Sequence, residues 1–399
     1  MFKNKLVLAL PLIALAIIFL FSMTLFPSIQ PQPKNLPIAI VNEDEGVQIL
    51  NQPLMNMGQS IVEMIQESSA ATDDEDPMVK WVEVKSNEEV QKGLDDQKYY
   101  AALVIPKDFS AKQASLQTPE PSSPKVQIYI NQGMNMPAST VAGQILNGVV
   151  ENMNNMVRQQ LIDGFEKQGA TLTTKQAEIL VAPIVKNVTN VNEVGNNTAN
   201  GNAPMTLFQP LWMGSLATAA ILFFTVNKMT LATRKERLWT KIGQILMATL
   251  VALVIGFGFT WIAGQIVGLN IPVFMDTALF LAVSSISFIL MILAVFSLIG
   301  FRGMPIFVLI LFFGAPLLAL APEMMPAFYQ DWVYPWLPMR FMIEGLRKLF
   351  FFNAELSWDM ISIQVTIAIT SMLVILASIF KKKKETEVET KVETDAQEV

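Results

Sequence analysis

The side chains that most often carry chemistry in proteins are largely missing from this chain. Its 399 residues include neither cysteine nor histidine, which excludes disulfides, thiolate zinc sites, cysteine nucleophiles and imidazole bases. Two acidic clusters remain, Glu43-Asp44-Glu45 and Asp73–Asp76. Neither has the D-x-[DN]-x-[DN]-G spacing of a calcium loop. We therefore expect no catalytic residue, cofactor or metal site, and interpret both clusters as solvated acidic surface rather than as a metal site.

A second concentration of charge is basic and lies in the segment 227–241. Thr233 and Glu236 have the spacing of a capping box, which predicts that a helix begins there. The helix would continue through Leu238 and Trp239. Three further side chains would face solvent: Arg234, Lys235 and Arg237. The sequence contains no G-x-x-x-x-G-K-[ST] loop, so these basic residues do not belong to the usual cradle for ATP phosphates.

The elements that position these residues are membrane helices. The chain is 52% hydrophobic and only 16% charged, whereas soluble domains carry about 25% charged residues. The mean hydropathy is +0.41. Six apolar runs without a charged residue are long enough to cross a bilayer: Leu6–Phe26, Leu207–Val226, Ile242–Val267, Thr277–Ile299, Met304–Leu320 and Ile361–Phe380. We predict an α-helical membrane protein with six transmembrane helices and a large extracellular α/β domain inserted between the first and second.

Basic residues beside the runs predict the orientation. One set of short flanks holds twelve Lys and Arg, and the other holds three; the richer set marks the cytoplasm. Both termini are therefore expected in the cytoplasm, with residues 27–206 outside. Because the apolar stretch of Leu6–Phe26 exceeds the roughly 7–15 residues of a signal-peptide core, we favour an uncleaved membrane anchor over a cleaved signal. The net charge of −6 argues against a nucleic-acid partner.

The segment 27–206 is long enough to bury its own core. Pro27–Asn35 and Asn187–Ala203 resemble spacers, which leaves a domain of about residues 36–186. Asp108 is expected to cap the helix that begins at Phe109. Alternating strands and helices predict a small α/β layer, with strands at Leu36–Val41, Trp81–Val84, Tyr100–Ile105 and Val126–Ile130 and helices at Met55–Ile65, Asn87–Leu94, Phe109–Ser115 and Pro137–Phe165.

The membrane part is predicted to span residues 207–380 and to contain an outer segment at 322–360. Aromatic residues of the kind found at membrane interfaces are Trp332, Tyr334 and Trp336. From Met339 onward a helix would place its apolar residues on one face and its charged residues on another. The apolar face is Met342, Leu346, Leu349 and Phe350, and the polar residues are Arg340, Glu344, Arg347 and Lys348. This pattern predicts an interfacial helix. The remaining segment, 381–399, reads as a basic, then acidic, disordered cytoplasmic tail.

Three segments resemble one protein family. Leu36–Gly46, LPIAIVNEDEG, resembles the opening strand of the phage infection protein (YhgE/Pip) family, which lies within the ABC type-2 permease superfamily. Asn87–Ser110 resembles the extracellular motif of that superfamily, with a strand ending in Ile-Pro and a helix beginning Asp-Phe-Ser. Leu337–Arg347 resembles its segment before the last span. Known family members carry much larger extracellular regions than this chain does.

The resemblance implies the permease subunit of an ABC exporter for an amphipathic or hydrophobic substrate. Such a subunit works with a separate ATPase, as a homodimer or with a second permease, in a bacterial plasma membrane. Membrane lipid is a further expected partner, because the basic run Lys381–Lys384 could bind anionic lipid. Thr233, Arg234, Lys235, Glu236, Arg237, Leu238 and Trp239 would then form the helix that couples to the ATPase. The alternative is an ordinary basic membrane anchor. The outer segment would border the exit of the translocation route, or else serve as an interfacial anchor.

Other functions remain open at this point. A proton-driven transporter needs ionisable groups within its spans, and the predicted spans have none. An enzyme is disfavoured because no nucleophile–base pair is evident. A non-transporting surface membrane protein, such as a phage receptor or a secretion-apparatus scaffold acting through the extracellular domain, is the main alternative. Recovery of an ATPase with the purified protein would distinguish it from a permease.

Overall fold

The computed structural model describes residues 33–48, 54–70, 77–169 and 171–381, together with Leu15 and Phe19. Three predictions lie outside these residues: the first membrane run apart from those two positions, the cluster Asp73–Asp76, and the tail after Lys381. The chain divides into two compact units, each assembled from separate stretches of sequence.

The first unit contains a five-stranded mixed sheet with the order β2-β1-β3-β4-β5. β1 pairs in parallel with both β2 and β3, whereas β4 runs antiparallel to β3 and parallel to β5. The strands are β1 (Leu36–Asn42), β2 (Val79–Glu83), β3 (Ala101–Ile105), β4 (Lys125–Asn131) and β5 (Val185–Val191). The predicted α/β layer is therefore present, with four strands close to their predicted positions.

Among the described residues, five helices accompany the sheet: α1 (Met57–Ala70), α2 (Asn87–Asp95), α3 (Phe109–Ser115), α4 (Met136–Gln168) and α5 (Thr174–Ile179). Side chains of β1 alternate between two apolar cores. Ile38 packs in the larger core with residues of α1, α3 and α4, while Ala39 packs in the smaller core with residues of α2. Helices on both faces bury the sheet, which explains why every residue of β3 is buried.

The fifth strand occupies sequence that was predicted to be the beginning of a spacer. β5 reads VKNVTNV and is exposed along most of its length. Its valines do not alternate with polar residues, and asparagine is a poor strand former. Pairing with β4 from Lys125↔Val185 to Asn131↔Val191 fixes the strand. That long-range contact leaves no local signal in the sequence.

The acidic cluster at 43–45 is not the solvated surface that was predicted. Glu45 is exposed, but Asp44 is only 7% exposed. Its carboxylate accepts hydrogen bonds from the backbone N–H of Gly58 at 3.1 Å and of Ser110 at 2.9 Å, near the beginnings of α1 and α3. Asp108 does not cap α3 through its side chain and instead forms a 2.6 Å ion pair with Lys112. The carboxylate from the sheet edge replaces the predicted local cap.

The apolar half of the chain is helical. Its helices are α6 (Ala203–Asn227), α7 (Arg234–Trp261), α8 (Phe274–Ile299), α9 (Met304–Ala319), α10 (Arg340–Phe351) and α11 (Trp358–Ala377). Within the described residues, four stretches are long and apolar enough to cross a membrane: Ala203–Asn227, Arg234–Ile266, Phe274–Ala319 and Trp358–Phe380. The third stretch contains two of the six predicted runs, so the described residues yield four candidate spans.

The second unit comprises Pro210–Phe259, Ala278–Phe307 and the described residues from Trp358 onward. Trp212 of α6 is fully buried, with its ring 5.0 Å from that of Phe288 between centroids. Polar contacts also join its helices, because Ser284 of α8 donates to Gln364 of α11 at 3.2 Å. Close apolar packing with a few buried hydrogen bonds is typical of helices in a membrane.

Candidate functional site

The helix predicted from the basic segment begins where its capping box indicates. The backbone N–H of Glu236 donates to Thr233 Oγ1 at 3.2 Å, and the Glu236 carboxylate accepts from the backbone N–H of Thr233, also at 3.2 Å. The same carboxylate accepts from the backbone N–H of Ala232 at 2.9 Å. Three backbone donors at the beginning of α7 are thus satisfied by two side chains. This arrangement fixes the direction in which the chain enters α7.

The side chains on the first turns of α7 differ in accessibility. Arg234 and Lys235 are exposed, as expected. Leu238 and Trp239 are also exposed, with Trp239 at 63%. The chain therefore presents an exposed aromatic side chain beside two cations at a capped helix start. Aromatic residues and arginine are enriched at protein interfaces, whereas lysine is depleted, so Trp239 and Arg234 are the side chains here that are typical of an interface.

Arg237 was expected to face solvent with its neighbours, but it is half-buried. It lines a cavity of about 380 Å³ in the second unit, together with Lys241 and Lys381. Lys241 lies one helical turn after Arg237, so the i, i+4 spacing was the signal in the sequence for a shared face. Lys381 comes from the other end of the membrane part, and no sequence pattern links it to α7.

The polar residues of the outer segment form contacts within the first unit. The Tyr334 hydroxyl donates to Glu344 Oε1 at 3.1 Å. The Arg340 guanidinium carbon lies 5.3 Å from the centre of the Tyr334 ring and 4.6 Å from that of Phe341, within the range of a cation–π interaction. Lys348, at i, i+4 spacing from Glu344, is exposed, and Glu344 accepts from Tyr334 instead.

A tyrosine of the α/β layer joins this outer segment. The Tyr100 hydroxyl, immediately before β3, donates to Glu323 Oε2 at 2.8 Å. Burial and the neighbouring Glu323 carboxylate raise the pKa of Tyr100 well above its usual value. Burial and Glu344 raise the pKa of Tyr334 in the same way. Both phenols are therefore neutral donors at physiological pH. Neither Tyr100 nor Glu323 was singled out from the sequence.

Arg347 is the charged residue at the centre of these contacts. Burial lowers its pKa, while the nearby Tyr100, Tyr334 and Glu344 act in the opposite direction. An arginine remains charged under such shifts because its usual pKa is above about 12. The outer segment therefore holds a half-buried positive charge close to two phenols and a carboxylate.

The helix α10 is the amphipathic helix predicted from residue 339 onward. Its predicted apolar face is fully buried: Met342, Leu346, Leu349 and Phe350. The aromatic residues before α10 differ in exposure. Trp332 and Trp336 are exposed at 72% and 81%, whereas Tyr334 donates a hydrogen bond to Glu344. Ala321 and Met324, which precede these aromatic residues, lie in the larger core of the α/β layer. The outer segment is thus tied to the sheet.

Across the described residues, no group of three or more His, Cys, Asp or Glu is arranged to hold a metal ion. The buried carboxylate of Asp44 accepts hydrogen bonds from Gly46, Gly58 and Ser110. The two regions described above, at the beginning of α7 and in the outer segment, offer surfaces and charges for binding.

Comparisons with known proteins give one clear result. The model of the ABC-2 family transporter proteins matches residues 6–380 of this chain. A comparison with curated proteins found no match. A crystal structure of a domain of an ABC type-2 transporter from Thermotoga maritima is similar to 39% of this chain and 86% of its own, with 22% identity and a TM-score of 0.24. A TM-score this low does not establish a shared fold. On the family model, which covers nearly the whole sequence, the chain belongs to the ABC-2 family of transporter proteins.

Proposed function

We propose that the chain is the permease subunit of an ABC exporter that moves an amphipathic or hydrophobic substrate outward. The observation that carries the proposal is the family match over residues 6–380. Because the sequence has no phosphate-binding loop, the energy for transport would come from a separate ATPase subunit. The permease would act as a homodimer or with a second permease. The motif at Leu36–Gly46 favours a member similar to the phage infection protein (YhgE/Pip) branch.

The proposal includes a topology of six membrane passes in a bacterial plasma membrane. Both termini would be cytoplasmic and residues 27–206 extracellular. Phe274–Ala319 has 46 residues, whereas one pass needs about 20, so this stretch is long enough for two. A 3₁₀ turn at Gly300–Gly303 interrupts it, and Gly300 has a φ of +72° that favours glycine. That turn would reverse the chain on the cytoplasmic side.

The beginning of α7 is the part of the molecule that we propose to dock on the ATPase. The capping box gives it a fixed start, Arg234 and Lys235 provide donors for acidic residues, and Trp239 supplies a large apolar contact. An aromatic side chain that becomes buried at an interface commonly contributes more than its neighbours do. The exposure of Trp239 at 63% leaves most of its surface available for this purpose. The outer segment would border the exit side of the substrate route.

The test is a double variant, Leu238→Ala with Trp239→Ala, in the full chain coexpressed with a nucleotide-binding subunit that copurifies with the unaltered chain. Loss of an interface anchor of about 2 kcal/mol corresponds to a roughly thirtyfold weaker complex. The measurement is the affinity of the purified permease for the ATPase in detergent, followed by export rate in cells.

A matched control lies at the opposite end of the same apolar stretch. Trp261 and Ile262 are also exposed, at 53% and 43%, and their double replacement by alanine should leave the complex intact. If the Leu238/Trp239 variant binds the ATPase and exports at the wild-type rate, α7 is not the docking element. If no nucleotide-binding subunit accompanies even the unaltered chain, the non-transporting surface protein becomes the better account.

A further inference from the structure

The cavity beside Arg237, Lys241 and Lys381 is lined by residues from several elements of the second unit. The end of α6, the first turns of α7, the end of α8 and the residues after α11 all contribute. Its volume of about 380 Å³ is within the range of roughly 300–1,000 Å³ found for small-ligand sites. Two cations of α7 and a third from the far end of the described chain therefore share one space.

These cations have no anionic counterpart among the described residues that line the cavity. The Lys241 ammonium donates to two neutral acceptors, Gln244 Oε1 at 3.2 Å and Ser297 Oγ at 3.1 Å. It has three donors, so one remains. Lys381 donates to the carbonyl of Leu298 and keeps two. Arg237 and Lys241 are half-buried, and charges that leave water are costly unless an opposite charge joins them, so the site as built favours an anion.

The rest of the cavity wall is apolar. Phe223 and Phe296 contact each other with ring centroids 5.5 Å apart, and Ile379 continues the wall after α11. An inorganic anion would use only the cationic side of this space. An anion attached to a hydrocarbon chain would use both sides, because burial of apolar surface contributes about 25 cal/mol per Å².

We propose that this cavity binds the headgroup of an anionic membrane phospholipid. The phosphate would lie between Arg237, Lys241 and Lys381, and the glycerol and first acyl carbons would lie against Phe223 and Phe296. Basic pockets between membrane helices on the cytoplasmic side are known to bind such headgroups. Binding of the headgroup would require neither transport nor an ATPase. The proposal therefore adds a ligand to the permease proposed above.

The test uses the full chain purified in detergent and three probes: short-chain phosphatidylglycerol, phosphatidylcholine with the same acyl chains, and glycerol 3-phosphate. Native mass spectrometry measures the affinity of each. Phosphatidylglycerol should bind one site, with the other two at least about tenfold weaker, the loss expected for one charge-assisted contact. Equal binding of the two lipids would overturn the role of the cations. Equal binding of glycerol 3-phosphate would make the site one for soluble phosphates.

Single substitutions locate the site. Lys241→Gln and Lys381→Gln should each weaken phosphatidylglycerol binding about tenfold and leave phosphatidylcholine unchanged, whereas Lys241→Arg should retain binding. Lys381 lies at the exposed end of the described chain, so its replacement tests the site even if Lys241→Gln fails to fold. Lys228→Gln and Arg302→Gln remove the same charge nearby without lining this cavity. If all four charge-removing variants weaken binding equally, general electrostatic attraction replaces the proposed site.

Discussion

At the scale of single residues, Asp44 shows that a buried member of an acidic cluster can have a structural role. Its carboxylate accepts from Gly46, Gly58 and Ser110 backbone N–H groups and from the Ser110 hydroxyl. Two of these donors belong to the first turns of α1 and α3, where a helix carries partial positive charge. One carboxylate from the edge of the sheet therefore stabilises the beginnings of two helices.

Asp44→Ala should destabilise the α/β layer strongly because it leaves several buried donors unpaired. At about 1–3 kcal/mol for each buried unsatisfied group, a loss of about 3 kcal/mol in the free energy of unfolding is expected. For a domain of this size that corresponds to a Tm lower by about 10 °C, measurable by thermal unfolding of the purified chain. Glu45→Ala, on the exposed neighbour, should shift Tm by little. Equal effects from the two variants would contradict the role assigned to Asp44.

At the scale of elements, α7 and α8 approach each other closely at one glycine. A Cβ on Gly256 would lie 2.5 Å from the carbonyl oxygen of Ala278 and 2.6 Å from the Cβ of Ala282. Neither distance leaves room for a carbon atom. The two backbones therefore pack in contact, as small residues allow in membrane helices.

Gly256→Ala should separate these helices and destabilise the second unit. Overpacking costs about 1–3 kcal/mol, so the detergent-purified variant should lose several degrees in Tm. Gly258 lies two residues away on the same helix, and a Cβ added there would meet no atom of the described residues within 4 Å. Gly258→Ala should therefore be neutral or slightly stabilising. A Gly256→Ala protein as stable as the Gly258→Ala control would show that the helices adjust at no cost.

Most of the helices and strands could be predicted from local patterns in the sequence. Four strands, the helix beginning at Asn87 and the helix beginning at Arg234 have periodicity or caps that lie within a few residues. β5 has none, because its register comes from β4. The cap of α3 was misassigned to Asp108 for the same reason: Asp44 is distant in sequence and becomes adjacent only after β1 and β3 pair. Among the site residues, Arg237 and Lys241 share a helical spacing, whereas Lys381 and Tyr100 meet their neighbours through tertiary contacts alone.

At the scale of the whole molecule, the α/β layer and the outer segment belong to one unit. The backbone N–H of Lys34 donates to the Glu323 carbonyl at 2.7 Å, and Asn135 donates through its side chain to the Ala319 carbonyl at 3.2 Å. The Tyr100 hydroxyl adds a contact to the Glu323 carboxylate. Three separate parts of the layer thus hold the region that follows α9.

Tyr100→Phe should weaken this connection, because it removes a hydrogen bond to a charged group worth about 1.5–3 kcal/mol. The expected readouts are a lower Tm and faster amide hydrogen exchange in residues 321–351. Tyr99→Phe removes a neighbouring hydroxyl that forms no hydrogen bond within the described part of the chain, and should change neither. Unchanged exchange in the Tyr100→Phe protein would show that the other two contacts hold the segment without it.

The burial of Ala321 and Met324 in the core of the α/β layer also constrains the order of events during synthesis. These two residues follow the end of β5 by well over a hundred positions. At about 5–20 residues per second, a ribosome needs roughly ten seconds to supply them after the last strand has emerged. In the proposed topology, α6 to α9 must also enter the bilayer in that interval. In that topology the nascent sheet would wait with part of its apolar surface uncovered, and folding of the domain would be completed only after these helices had been inserted.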